Sequence, residues 1–275
     1  MLGGMFLFAA ADMHAKFLTA SFHPVQIIWF RQFGLTAGVA ILIGLHGSSI
    51  LATGRRRLQA ARGALVAVSS LLFVYAVRHV PLADAVAASF VAPFFLTLLG
   101  AWLLGERVGI GRWVAVVVGL VGATIIVRPG MGVVHPAILL VLVAAALYAV
   151  RQAVGRLLAD TDGTLTTIAW TALVASALIS LPMPFVWQSP TSPAQWLTLL
   201  SMAALAGTGE VLVIKSLEVA EAAVVAPIHY TLIVWGTLYG YLVFGQWPDA
   251  WTGIGTAIIV AAGLYTLKRG GRRQA

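Results

Sequence analysis

The stretch LADAVAASFVAPFFLTLLGAWLL, residues 82–104, holds one charged side chain, Asp84, in twenty-three residues. Crossing about 30 Å of hydrocarbon takes roughly 20 apolar residues at 1.5 Å each. The stretch therefore reads as a membrane-spanning helix. Cutting the rest of the chain at proline, glycine and charge clusters gives nine more spans. They cover residues 2–20, 24–45, 63–79, 110–127, 136–157, 165–186, 194–214, 219–244 and 250–267. The sequence thus predicts an all-α integral membrane protein of ten transmembrane helices.

Composition agrees. Apolar residues make up 60% of the 275 residues and charged residues 9%, with a mean hydropathy of +0.96. A soluble domain carries roughly 25% charged residues. At 9% the chain cannot cover its surface for water, and it needs lipid as solvent. The net charge of +8 does not point to nucleic acid, because basic and aromatic residues do not interleave on a polar surface. With no cysteine, disulfides, thiolate catalysis and Cys-based zinc sites are excluded. No motif for a cofactor or metal is present, and none is expected. The start, Met1-Leu2-Gly3-Gly4-Met5-Phe6, has no basic n-region, which predicts that the first span is retained.

Basic residues collect in cytoplasmic loops. With the N-terminus in the cytoplasm, the inner loops and tail hold Arg55, Arg56, Arg57, Arg62, Arg107, Arg112, Arg156, Lys215, Lys268, Arg269, Arg272 and Arg273, against Arg78 and Arg128 outside. Both termini are therefore expected in the cytoplasm of a bacterial inner membrane. Trp113, Trp187, Trp196, Trp247 and Trp251 fall near predicted span ends, where such rings prefer the interface.

The two halves echo each other. Ala9-Ala10-Ala11 with Lys16 returns as Ala144-Ala145-Ala146 with Arg151, shifted by 135 residues. Arg78 with Ala83-Asp84-Ala85 returns as Lys215 with Ala220-Glu221-Ala222, shifted by 137. Gly105-Glu106 returns as Gly245-Gln246, shifted by 140. Val91-Ala92-Pro93 and Val225-Ala226-Pro227 are shifted by only 134. The expected division is residues 1–130 and 131–275, the second ending in a short basic tail. Five spans per half is odd, so the second half enters the bilayer inverted. Inverted repeats recur in secondary transporters, with the substrate site near the midplane.

On these residues the chain resembles the drug/metabolite transporter superfamily, EamA type. The resemblance rests on Ala83-Asp84-Ala85, Ala92-Pro93-Phe94, Gly105-Glu106-Arg107 and Val127-Arg128-Pro129-Gly130. In the second half it rests on Val225-Ala226-Pro227, Tyr230, Trp235, Phe244-Gly245, Pro248-Asp249 and Gly263-Leu264-Tyr265. It implies two inverted five-helix repeats, a central cavity and alternating access. Members carry amino acids, nucleosides, vitamins such as riboflavin, S-adenosylmethionine and other metabolites. The chain departs from its nearer relatives at Gln246, where a Glu usually follows the glycine, and at Glu210, where His is frequent.

Ionisable groups inside spans are costly, so each needs a reason. Asp12 and Lys16 are four apart and share a helix face. They read either as a coupled cavity-lining pair or as a self-neutralising pair with Lys16 reaching the interface. Arg31 lies about 10 Å into span two, which favours a cavity-facing or ion-paired role, with Asp12 as a partner. Arg151 reads as a side chain reaching for the cytoplasmic surface, or as part of a gate. Glu210, in apolar surroundings, is a candidate proton carrier alongside Asp12, or a structural partner of Arg151 or Lys215. His229 and Tyr230 follow Pro227, which is expected to kink span nine, as Pro93 is expected to kink span four. With Phe94, Phe95, Trp29, Tyr148 and Trp235 they are candidates for a flat aromatic slot, or for plain core. His14 reads as a satisfied core histidine. Asp84 and Glu221 open spans four and nine, where carboxylates suit the helix dipole.

The favoured function is a secondary carrier, working as monomer or homodimer, for an anionic or zwitterionic and aromatic metabolite. A riboflavin-like vitamin carrier is the narrower alternative. A membrane-embedded enzyme is the alternative from another class. It would want His, Asp or Cys clustered at an interface, which the loops lack.

Overall fold

The structure is a computed structural model and describes residues 1–102, 108–128, 135–219 and 228–271. Twelve helices are described: α1 (Leu2–Leu18), α2 (Pro24–His46), α3 (Arg56–Val77), α4 (Leu82–Ser89), α5 (Ala92–Trp102), α6 (Ile110–Val127), α7 (Ile138–Ala159), α8 (Thr164–Ser180), α9 (Met183–Val186), α10 (Pro193–Val219), α11 (Thr231–Phe244) and α12 (Ala250–Gly271). No strand occurs among the described residues. Five helical stretches are long and apolar enough to cross a bilayer: Arg56–Val77, Leu82–Trp102, Ile110–Val127, Ile138–Ala159 and Pro193–Val213. Thr164–Ser180, Thr231–Phe244 and Ala250–Thr266 are shorter apolar helices.

One expected bend takes the form of a break, and one boundary differs from the sequence reading, each for a physical reason. The span expected at 82–104 is broken at Phe90-Val91, between α4 and α5. Pro93 has no N–H, and its ring clashes with the carbonyl four residues back. That residue is Ser89, where α4 ends. The third span begins at Arg56 rather than at residue 63. The run Arg56-Arg57-Leu58-Gln59-Ala60-Ala61-Arg62 consists of good helix formers, so the helix extends through it. Arg62, read as a loop residue, therefore lies inside α3.

The packing has a regular pattern. α1 lies against α10 and α11, and α7 lies against α3 and α5. α2 crosses α8, and α6 crosses α12. α2 also meets α10, and α3 also meets α8. Small residues allow these crossings. A Cβ on Gly122 of α6 would meet the Gly255 carbonyl oxygen of α12 at 2.9 Å, and one on Gly255 would meet that of Gly122 at 2.6 Å. Gly34 of α2 likewise leaves no room for a side chain against the Ala203 backbone of α10. Helices in lipid associate through such close backbone approach. Large apolar side chains point outward instead: Trp102, Ile110, Phe185, Leu197 and Trp247 are all exposed. A surface of that kind suits hydrocarbon rather than water.

Candidate functional site

The buried charges are Asp12 and Lys16 on α1 and Asp84 on α4, and partly buried charges lie on α2, α3, α7 and α10. Midway along α1, Asp12 accepts a 2.6 Å hydrogen bond from Arg31 Nη1 of α2. Their side chains are 10% and 19% exposed. The Asp12–Arg31 partnership expected from sequence is thus formed, and it ties two helices where neither charge reaches solvent easily. The Asp12–Lys16 pair is not formed, because Lys16 turns elsewhere. Its Nζ donates to the main-chain oxygens of Val77, at 2.9 Å, and of Val80. It also lies 5.4 Å from the Phe244 ring centroid, with Asp84 of α4 in electrostatic reach. Val77 is the last residue of α3, so the ammonium sits at the negative end of that helix. Lys16 is buried and does not reach for the interface. His14 Nδ1 bonds the Ala10 oxygen of its own helix at 2.8 Å, as a satisfied histidine does.

A second cluster lies toward the other end of α3. Fifteen residues separate Arg62 from Val77, about 22 Å along a helix. Arg62 donates through Nη1 to the Thr171 hydroxyl of α8. Its charge is within electrostatic reach of Arg151, Glu210 and Tyr148. The Arg151 guanidinium lies 4.3 Å from the centroid of the Tyr148 ring. It stays half-buried over that ring, so the expected reach to the cytoplasmic surface is not seen. The Nε atoms of Arg62 and Arg151 are both buried without a hydrogen-bond partner. Arg62 Nε lies 3.6 Å from where a Cβ on Gly155 would sit, which places it against the Tyr148–Arg151–Gly155 face of α7. Arg62 is the residue that sequence reasoning missed. The available signal was the unbroken run of helix formers before Gly63.

The aromatic residues do not form one slot. Trp29 joins Phe30, Phe33 and Trp187, with its Nε1 donating to Ser180 at 2.9 Å. Trp235 packs edge-on against Phe6, centroids 5.2 Å apart. Phe94 is buried against Gly119. Tyr148 lies under Arg151. His229 and Tyr230 both lie against Phe90, at 5.5 and 5.0 Å, and Phe94, Phe95, Tyr148 and Tyr230 share one large apolar cluster. Phe90 is the residue that breaks α4 from α5, so the helix interruption supplies the ring. The expected kink at Pro227 lies outside the described residues, as do Glu106, Pro129 and Glu221.

Two sequence motifs meet at one edge of the bundle. Arg128 ends α6 with a φ of 46°, a left-handed conformation that non-glycine residues seldom adopt. Its Nη2 lies 2.6 Å from Asp249 Oδ2. Asp249 also accepts from the Thr252 N–H at 2.8 Å, capping α12. Among the described residues no three His, Cys, Asp or Glu converge as a metal site.

The comparisons with known proteins extend over the whole bundle. The model of the EamA-like transporter family matches residues 1–128 and 135–267. The S-adenosylmethionine uptake transporter of Rickettsia prowazekii (strain Madrid E) is 26% identical, over 93% of this chain and 87% of its own. The pseudopaline exporter CntI of Pseudomonas aeruginosa (strain UCBPP-PA14) is 28% identical, over 94% and 90%. The riboflavin transporter of Vibrio cholerae serotype O1 is 30% identical, over 71% and 66%. A solved crystal structure, 18% identical, superposes with a TM-score of 0.64 over 99% of both chains, a likeness of fold alone.

Proposed function

The chain belongs to the EamA-like transporter family, a multi-pass membrane protein that moves small molecules, and from that premise we propose a secondary carrier of ten spans in two inverted halves. One observation carries the reading. Exchange the halves, so that α1 becomes α7, α3 becomes α10, and the α4–α5 pair becomes α11. The α1 contacts with α10 and α11 then turn into the α7 contacts with α3 and α5. The α2–α10 contact becomes α8–α3, while α2–α8 and α6–α12 map onto themselves. Two halves related in this way have two similar-energy arrangements, which is what alternating access needs. The family match to residues 1–128 and 135–267 supports a division near residue 130.

The carrier sits in a bacterial inner membrane with both termini in the cytoplasm. Its substrate is an anionic or zwitterionic metabolite, held by the cations and rings between the halves. Among the coupling candidates, Asp12 is already engaged by Arg31. Glu210, on α10 against α1 and α2, is the remaining candidate. Riboflavin is a second reading, favoured by the Vibrio cholerae relative and by the Phe90–Tyr230 stack.

The test is transport in proteoliposomes with a metabolite panel, measured in both directions. Gradient-driven accumulation of one anionic or zwitterionic compound is expected. Accumulation of lipophilic cations alone counts against the reading. Glu210→Gln is expected to abolish gradient-driven accumulation while leaving exchange at higher substrate concentration. Labelling of cysteines placed at Arg57 and Arg156 is expected on the same, cytoplasmic side.

A further inference from the structure

We propose that the concavity lined by Arg55, Arg56 and Arg57 at the start of α3 is a docking site for the phosphodiester headgroup of an anionic phospholipid. The proposal goes beyond the carrier reading and needs only that α3 begins at a bilayer surface.

Position comes first. α3 is long and apolar enough to cross a bilayer. Its 22 residues make about 33 Å of helix at 1.5 Å each, close to the thickness of a hydrocarbon core. Its first turn therefore falls among the headgroups. There Thr53, Gly54, Arg55, Arg56, Arg57 and Leu58 line an open concavity of about 610 Å³. The three arginines are exposed, and Leu58 is partly buried beneath them. The segment is also held in shape. Arg55 Nη1 donates to the Leu157 carbonyl at 3.0 Å, and the Arg55 N–H donates to the Thr53 hydroxyl at 2.9 Å. Trp170 Nε1 donates to the Leu51 carbonyl at 3.0 Å. These ties fasten the connection between α2 and α3 to α7 and α8, so the concavity is a fixed feature rather than a loose basic loop.

Charge decides the kind of partner. The first turn of a helix favours anions and disfavours cations. α3 nevertheless opens on Arg55, Arg56 and Arg57, with no acidic residue in its first turn and no side-chain cap. Within the protein that arrangement is unfavourable, and an outside anion relieves it. The acid that this segment touches is already engaged: Asp162 accepts from Thr53 at 2.6 Å and from Gln59 at 2.7 Å. Arg55 is partly spent on the Leu157 carbonyl, whereas the structure shows no such tie for Arg56 or Arg57. A phosphodiester suits these two guanidinium groups, because their paired donors match phosphate oxygens. Basic clusters beside a membrane span are drawn to anionic lipid surfaces, and this one sits where the headgroups are. A lipid seated here adds to the brace between the first half of the chain, through Thr53 and Arg55, and the second, through Leu157 and Asp162.

The test uses the full-length protein in a neutral detergent. Its melting temperature is followed as phosphatidylglycerol is added, with phosphatidylcholine at the same mole fraction as the control without net charge. Phosphatidylglycerol is expected to stabilise the protein by mass action, and phosphatidylcholine is not. The effect is expected to shrink from about 0.1 M to about 1 M salt, where the screening length falls from about 10 Å to about 3 Å. Half-maximal stabilisation is expected to need at least about tenfold more phosphatidylglycerol in Arg56→Gln/Arg57→Gln, the effect of two cations lost beside an anionic surface. Arg56→Lys/Arg57→Lys is expected to lose less. Arg78→Gln/Arg112→Gln, which removes the same charge elsewhere, is expected to respond as the unaltered protein does. Without lipid, Arg56→Gln/Arg57→Gln is expected to melt at the same temperature or higher, because cations leave the positive end of α3. A clear fall would show that the protein itself holds these cations and would overturn the proposal. So would equal stabilisation by phosphatidylcholine, equal loss in Arg78→Gln/Arg112→Gln, or inorganic phosphate alone giving the full effect.

Discussion

Lys16 and Arg151 hold matching places in the two halves of the sequence, each five residues after the last of a run of three alanines. Their surroundings differ. Lys16 is fixed by the carbonyls of Val77 and Val80, beside Phe244 and Asp84. Arg151 rests on a ring, faces a second arginine and keeps a buried donor unused. A cation whose donors are absorbed by backbone holds helices together. The Lys16 end is also closed by buried ties: Gln26, fully buried, exchanges two hydrogen bonds with the Gln188 main chain at 2.7 and 2.9 Å. The Arg151 end is braced near the surface, by Asp162 between Thr53 and Gln59 and by Arg55 on the Leu157 carbonyl.

This contrast can be broken most sharply between the two ends. Asp12→Ala leaves Arg31 half-buried without its partner, and removing one member of a buried pair is strongly destabilising. A loss of about 3 kcal/mol is expected in unfolding titrations, with Asp12→Ala/Arg31→Leu recovering part of it. Lys16→Met is expected to cost about 2 kcal/mol, because charged donors at the end of α3 are lost. Arg151→Met in the same assay is expected to stay within about 0.5 kcal/mol. Equal losses at the two positions would erase the distinction. Gln26→Ala follows, at about 1.5 kcal/mol from two buried hydrogen bonds.

The smallest effect is pH-dependent. Hydrogen bonds from Thr53 and Gln59 hold the Asp162 carboxyl below the usual carboxylate range. The folded form therefore binds fewer protons than the unfolded one at mildly acidic pH. Its contribution is complete above about pH 4 and fades as pH falls through the lowered value. Asp162→Asn is expected to flatten that acid limb of the stability curve. An unchanged limb would show that the brace contributes nothing.

Much of the fold was legible because lipid imposes a simple code. Long apolar runs such as 138–159 announce themselves, and Pro93 marks its own interruption. The Asp12–Arg31 pair was legible because a buried charge needs an opposite charge, and few were on offer. Lys16 was not, since its partners are main-chain oxygens, which every residue has. Arg62 was hidden by the habit of reading arginine runs as loops, although nothing in 56–62 stops a helix. The aromatic slot failed for a different reason. Rings are common in this chain, and their order in sequence does not say which helix face each one takes. The match between the halves was visible as faint spacing, while the exchange of packing partners needed three dimensions.

α3 runs unbroken from Arg56 to Val77, with Lys16 pinned at one tip and Arg62 near the other. A rigid rod held at a tip behaves as a lever. Over about 22 Å of arm, each degree of swing carries Arg62 sideways by about 0.4 Å, and ten degrees by about 4 Å. That travel exceeds the reach of a hydrogen bond, so a modest tilt would separate Arg62 from Thr171 without melting a single turn.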